Sequence, residues 1–173
     1  AAAPRWPPRP LAARWVERIE GDTERCVIER LAPECDWSLV IAPEFDGILL
    51  DRVRWVEAAG GRLLGPSPSA VAIAADKLAC GQLLERSGVP AVVGRVINPT
   101  DGLSGDVSYP AVLKPRDGAG SQCTFLIRDA KAAPQVLQMA AAEGLCHEAL
   151  LQPFVPGLAV SASFLVGAAG VVP

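Results

Sequence analysis

Apolar positions along this chain recur with two periods, and their succession over the first third predicts strand–helix–strand–helix–strand. Residues 15–20 alternate as a strand would, with Trp15, Glu17 and Ile19 against Val16 and Arg18; a helix with Trp15 and Ile19 on one face fits nearly as well. Asp22 or Thr23 is suited to cap a helix reaching about Leu31, with Cys26, Val27 and Leu31 on one side. Residues 37–42 form a compact apolar run stopped by Pro43, a strand pattern. Leu49, Val53 and Val56 then fall at helical spacing over 48–59, and Gly60-Gly61 ends that helix. Leu63 and Leu64 begin a short strand closed by Gly65-Pro66-Ser67-Pro68. This succession predicts a small, incomplete α/β unit with a parallel sheet over residues 1–67, its first 12 residues a proline-rich tail.

From residue 68 onward the pattern changes. Residues 69–87 read as one helix with Val71, Ala75, Leu78, Leu83 and Leu84 on its apolar side, ended by Gly88-Val89-Pro90. Strands are predicted at 92–97, 111–113, 124–127, 149–152 and 160–166, with a helix from Asp129 to about Glu143 that turns Val136, Met139 and Ala140 inward. The class is α/β, becoming α+β in the second part, with the boundary at the Pro-Ser-Pro linker and a second unit over 68–173.

Composition narrows the functional classes. The 173 residues carry a net charge of −3 and no basic tract, which argues against nucleic acid. No apolar run approaches the roughly 18 residues of a membrane helix, and residues 1–12 lack the apolar core of a signal peptide. Five scattered cysteines without a Cys-x-x-Cys, and a single His147, offer no metal-ligand spacing; reduced, mostly buried cytoplasmic thiols are expected, with Cys80, Cys123 and Cys146 in the core and His147 at a strand edge or surface. Of 16 basic residues only Lys77, Lys114 and Lys131 are lysines, so a retained lysine marks a position where a compact ammonium is useful.

The segment with the most chemistry is 109–122, Tyr-Pro-Ala-Val-Leu-Lys-Pro-Arg-Asp-Gly-Ala-Gly-Ser-Gln. A short apolar strand delivers Lys114 to its end, where an ammonium must reach water or meet an anion. Gly118 and Gly120 can take positive φ and turn successive N–H groups toward one anion. A cation followed by such a loop suits phosphate; a plain strand and surface turn is the competing reading. The order differs from a P-loop, because the lysine precedes the glycines.

Four segments in sequence order resemble the ATP-grasp superfamily: Asp76-Lys77 within a helix, the Tyr-Pro-Ala-Val-Leu-Lys-Pro strand, the 117–122 loop, and Leu151-Gln152-Pro153-Phe154-Val155-Pro156-Gly157. The phrase Ile41-Ala42-Pro43-Glu44-Phe45-Asp46-Gly47-Ile48-Leu49 is similar to ATP-grasp ligases related to tyramine–glutamate ligase, of methanofuran-type cofactor assembly. The resemblance implies a small parallel-sheet unit followed by a partial ATP-grasp domain. It implies that Lys77 and Lys114 meet the nucleotide phosphates, and that Gly118, Gly120 and Ser121 close over them. Gln152, Pro153 and Val155 would form the adenine hinge, through the Pro153 carbonyl and the Val155 N–H. It further implies ATP and Mg²⁺ as cofactors, small-molecule carboxylate and amine substrates, and a carboxylate–amine ligase acting through an acyl phosphate. Glu44 and Asp46 are candidates for the substrate side, against the plainer reading of a surface Glu and a helix-capping Asp.

No Asp or Glu follows Glu148, whereas the family's metal ligands lie on later strands, so the metal ligands are expected outside this sequence and the 173 residues alone are expected to lack turnover. A non-catalytic nucleotide-binding or scaffold protein is the alternative, and a carboxylase-like or D-alanine ligase-like activity a third. Catalytic residues, the substrates and a homodimer stay open.

Overall fold

The computed structural model describes residues 23–167 and 170–172; the element expected at 15–20 lies outside them. Helix α1 (Glu24–Leu31) starts at Thr23, whose hydroxyl accepts from the Cys26 N–H, the cap that the sequence suggests. Helix α2 (Ile48–Ala58) buries Val53 and Val56. Its N-terminal half is tied to α1 by the Arg52–Glu24 ion pair. The strands expected at 37–42 and 63–64 reduce to one parallel bridge, Ser38 to Leu63, held by Ser38 N–H to the Arg62 carbonyl (2.7 Å) and Leu64 N–H to the Ser38 carbonyl (2.9 Å). Leu39 and Ile41, 64% and 88% exposed, show why pairing stops there: neither has an apolar layer to cover it.

The helix expected over 69–87 is two helices, α3 (Pro68–Ala75) and α4 (Lys77–Arg86). Asp76 leaves helical geometry (φ −99°, ψ 103°) and its carboxylate caps α4 by accepting from the Leu78 and Ala79 N–H groups at 3.0 and 3.1 Å. A helix of alanines and leucines would run on; a cap formed mid-run stops it. Leu83 and Leu84, expected inward, are 40% and 38% exposed.

Strands β1 (Arg95–Ile97), β2 (Ala111–Pro115), β3 (Phe125–Ile127) and β4 (Ala149–Pro153) form one antiparallel sheet in the order β1-β4-β2-β3. Strand β1 is shorter than the predicted 92–97. At Gly94 a Cβ would stand 2.3 Å from the Leu151 carbonyl oxygen, so glycine lets the chain enter against β4. Helix α5 (Ala133–Ala142) covers one face, beginning later than expected because Asp129 spends its carboxylate on a turn, accepting from Lys131 and Ala132 N–H (2.9 Å each). Ala133 and Ala140 are buried and Val136 and Leu137 pack on the core, whereas Met139, expected inward, is 48% exposed. Ile97, Ala111, Leu113, Ile127, Leu145, Ala149 and Leu151 complete the buried part of that core.

Strands β5 (Leu165–Gly167) and β6 (Gly170–Val172) form a separate antiparallel pair; residues 160–164, expected in a strand, join no ladder. All five cysteines are free. Cys26 and Cys35 are exposed and the other three half-buried, so the expected burial of the thiols is not what the fold provides. Cys123 does pack against the main core.

Candidate functional site

Strand β2 alternates between two faces. Ala111 and Leu113 point under α5, and Val112 and Lys114 point to the opposite face. Lys114 therefore leaves the core at the strand end, and burial of its stem and amine holds its pKa below that of a free lysine. Lys77, the first residue of α4, arrives from the other side. Its N–H donates to the Arg116 carbonyl (2.9 Å), which fixes the start of α4 on the end of β2. The two amines line one pocket of about 340 Å³, together with Phe45, Asp117, Gly118, Gly120, Ser121 and Cys123. The Lys77 pKa is lowered, first by burial and next by the Lys114 charge, with Asp117, Glu44 and Asp76 opposing.

The loop behind the pocket has an unusual backbone. Gly118 (φ 80°), Gly120 (φ 72°), Ser121 (φ 58°) and Cys123 (φ 49°) are all left-handed. Two of the four are not glycine. Such a backbone turns N–H groups away from any regular ladder and presents them to an anion. The Lys77 ammonium donates to the carbonyls of Asp117 and of Gly118 (2.7 Å for the latter), so it already spans the loop. Phe45 lies against the same loop, its Cβ 3.9 Å from where a Gly118 side chain would start, and the Asp46 N–H donates to the Asp117 carboxylate at 3.3 Å.

Gln152, Pro153 and Val155 are placed elsewhere. The Gln152 amide is buried and donates to the Val92 carbonyl, tying β4 to the segment before β1. Gln152 and Pro153 line a separate cavity of about 200 Å³ with Gly94, Arg95 and Ser108. Val155 is 60% exposed and lines neither. Pro153 pairs with Ala111, and Lys114 with Leu150, so the backbone of the expected hinge and that of Lys114 stand three strand positions apart on neighbouring strands, roughly 10 Å.

A larger cavity, about 680 Å³, lies beside the phosphate-type pocket and shares Asp117 with it. Leu49, Leu50, Val71 and the alanines of α3 form its apolar wall, and Glu44, Arg116, His147 and Glu148 its polar end. Glu44 is thus a cavity residue, while Asp46 is not among the lining residues. His147 is exposed, as expected of a surface histidine.

Arg116 was not singled out by the sequence. Its guanidinium meets the Asp76 carboxylate at 2.7–3.1 Å and Glu148 at 2.8 Å. These partners raise its pKa, and the pair with Arg116 lowers that of Asp76. The charge pattern Asp76…Arg116…Glu148 has no local spacing, so only the tertiary structure reveals it. Among the described residues no group of three or more His, Cys, Asp and Glu side chains is placed to hold a metal ion.

Residues 1–71 match the pre ATP-grasp 3 domain and residues 74–173 the ATP-grasp domain. A D-alanine–D-alanine ligase from Synechococcus sp. (strain JA-2-3B'a(2-13)) is 26% identical over 127 residues, 70% of this chain and 38% of that ligase. A biotin carboxylase from Campylobacter jejuni, solved as its β,γ-ATP complex, superposes with a TM-score of 0.57 and 21% identity over 77% of this chain and 32% of its own. A D-alanine–D-alanine ligase from Bacillus anthracis gives 0.56 and 16% over 78% of this chain and 44% of its own. The chain thus spans less than half the length of these relatives.

Proposed function

The chain belongs to the ATP-grasp family, and from that premise we propose that it binds ATP between β2 and α4 and serves an ATP-dependent carboxylate–amine ligase. One observation carries the reading: two half-buried ammonium groups, 37 residues apart in sequence (114 minus 77), line a single pocket with a loop of left-handed residues. Charge and oriented N–H groups together make a polyphosphate site, since each offsets the desolvation of an anion.

In this reading Lys77 and Lys114 hold the phosphates, and the N–H groups around Gly118, Gly120 and Ser121 close on them. The Pro153 carbonyl and the Val155 N–H read adenine; a proline suffices at 153 because only its carbonyl is used. Gln152 supports this hinge from behind, through Val92. Bound ATP supplies the phosphoryl group that turns a carboxylate into an acyl phosphate, from which an amine displaces phosphate to leave an amide. The chain's own work is positioning and charge stabilisation. The 680 Å³ cavity, walled off by Asp117, is where a second substrate sits, with Glu44 as a group for an amine. The likeness of the 41–49 phrase supports an assembly role in cofactor biosynthesis, with tyramine-like amines. Five free thiols suit a reducing compartment such as the cytoplasm, and among the described residues no helix is long and apolar enough to cross a membrane.

Calorimetry with ATP tests the first step, and ADP release dependent on both a carboxylate and an amine, measured on the full-length protein, tests the second. ATP binding without such turnover would mark a nucleotide-binding module. Absence of ATP binding would sink the reading.

A further inference from the structure

We infer that Arg116 is a positioning residue of the phosphate pocket, acting through Asp76 on Lys77; the inference rests on the nucleotide reading above. Arg116 is not among the residues lining that pocket, and its side chain lies in the wall of the neighbouring cavity. It nonetheless holds the start of α4 at two points. Its carbonyl accepts from the Lys77 N–H at 2.9 Å, and its guanidinium forks onto the Asp76 carboxylate, with Nη2–Oδ2 at 2.7 Å and Nε at 3.1 Å from both oxygens. Asp76 spends the same carboxylate on the first two free N–H groups of α4. Backbone and side chain thus close a ring from the end of β2, through the helix cap, to Lys77 and back.

That ring matters because Lys77 is the only residue of α4 whose side chain reaches the phosphate loop among the described contacts, where it meets the Asp117 and Gly118 carbonyls. A lysine has four rotatable bonds, so its amine is placed only as well as its backbone is. A single N–H···O contact leaves the helix free to pivot about it. The planar guanidinium–carboxylate fork removes the pivot. Glu148, just before β4, takes the third side of the guanidinium at 2.8 Å and ties it to that end of the sheet. Glu148 is largely exposed, 67% at its side chain, so it steers Arg116 less than Asp76 does.

A double-mutant cycle decides the matter, with ATP affinity measured by calorimetry on the full chain for wild type, Arg116→Met, Lys77→Met and the pair. Arg116→Met is expected to weaken ATP binding about tenfold, within the range of coupled residues. Arg116→Lys is expected to recover little of the loss, since it keeps the charge without the fork. In the Lys77→Met background the Arg116 change is expected to cost nothing more. A full additive loss there, or unchanged affinity for Arg116→Met alone, overturns the proposal.

A second measurement stands apart from nucleotide. The chain has only three lysines, so reductive methylation with ¹³C-formaldehyde gives three resolvable lysine signals. Arg116→Met should shift the Lys77 signal and its titration while leaving Lys131 in place. An unmoved Lys77 signal overturns the clasp even if Lys77→Met binds too weakly to complete the cycle. Failure of wild type to bind ATP would instead sink the nucleotide reading, and the lysine signal would still report on the clasp.

Discussion

The two faces of the four-stranded sheet are made from the same strands to opposite ends. Under α5, Ala111, Leu113, Ile127, Ala149 and Leu151 are none more than 4% exposed. On the other face Leu150 and Gln152, opposite Lys114 and Val112, are buried in the middle of the sheet, but Val112 and Lys114 themselves are half-buried and Leu126 is 38% exposed. Successive residues of β2 serve the two faces in turn, since side chains alternate across a strand. The sealed face holds the sheet together by removing apolar surface from water. The less sealed face accepts, at the end of β2, the cost of a half-desolvated ammonium, which an anion would offset. Stability and chemistry are thus divided within five residues of one strand.

The sharpest way to break this division is Leu113→Ala. It should cost about 2–5 kcal/mol of stability, the usual toll of a buried leucine truncated in a packed core, read by denaturant unfolding. A cost near zero would mean that the α5 face is not the structural one. Its neighbour should behave in the opposite way. Lys114→Met should leave the thermal midpoint unchanged or higher, because it removes a half-buried charge, while weakening ATP binding about a hundredfold, the upper range for one charge-assisted contact. A large fall in stability with intact ATP affinity would invert the assignment.

Smaller effects sharpen the picture. Gly94→Ala should destabilise by about 1–3 kcal/mol, because the new Cβ would lie 2.3 Å from the Leu151 oxygen and 2.5 Å from the Gln152 Cγ. Circular dichroism melts would show it. Gln152→Leu should cost about 1 kcal/mol by leaving the Val92 carbonyl without its donor. The mildest is a pH effect. Both pocket amines are held below the ordinary lysine value of 10.5, so ATP affinity should begin to fall on the alkaline side before that pH. Between the lowered value and 10.5 the unfolded chain binds more protons than the folded one, so stability rises with pH while affinity drops. Affinity flat to pH 10.5 would contradict the burial of these amines.

Much of this could be read from the chain. The Thr23 cap, the helix over 48–58 and the strand delivering Lys114 depend on neighbours within a few positions, and local rules suffice for them. The positive φ of Gly118 and Gly120 was equally legible; that of Ser121 and Cys123 was not, because nothing in those side chains asks for it. What failed was non-local. Asp76 looked like one polar residue in a long helix until Arg116, forty positions on, claimed its carboxylate and fixed a break there. Residues 37–42 looked like a full strand, and a single bridge is all that its neighbour Leu63 supplies. Gln152 looked free to face a ligand; the Val92 carbonyl that occupies its amide lies sixty residues away.

The Lys77 ammonium, resting on two peptide oxygens of the loop it would close, has a consequence for timing. In the proposed nucleotide reading, a phosphate at Lys77 would share or compete for an ammonium of three N–H donors, two of which already serve the carbonyls of Asp117 and Gly118, so ligand binding and loop position are coupled through one side chain. Neutral peptide oxygens are weaker partners for that ammonium than a phosphate would be, so the same side chain that tethers the segment would also report the ligand to it.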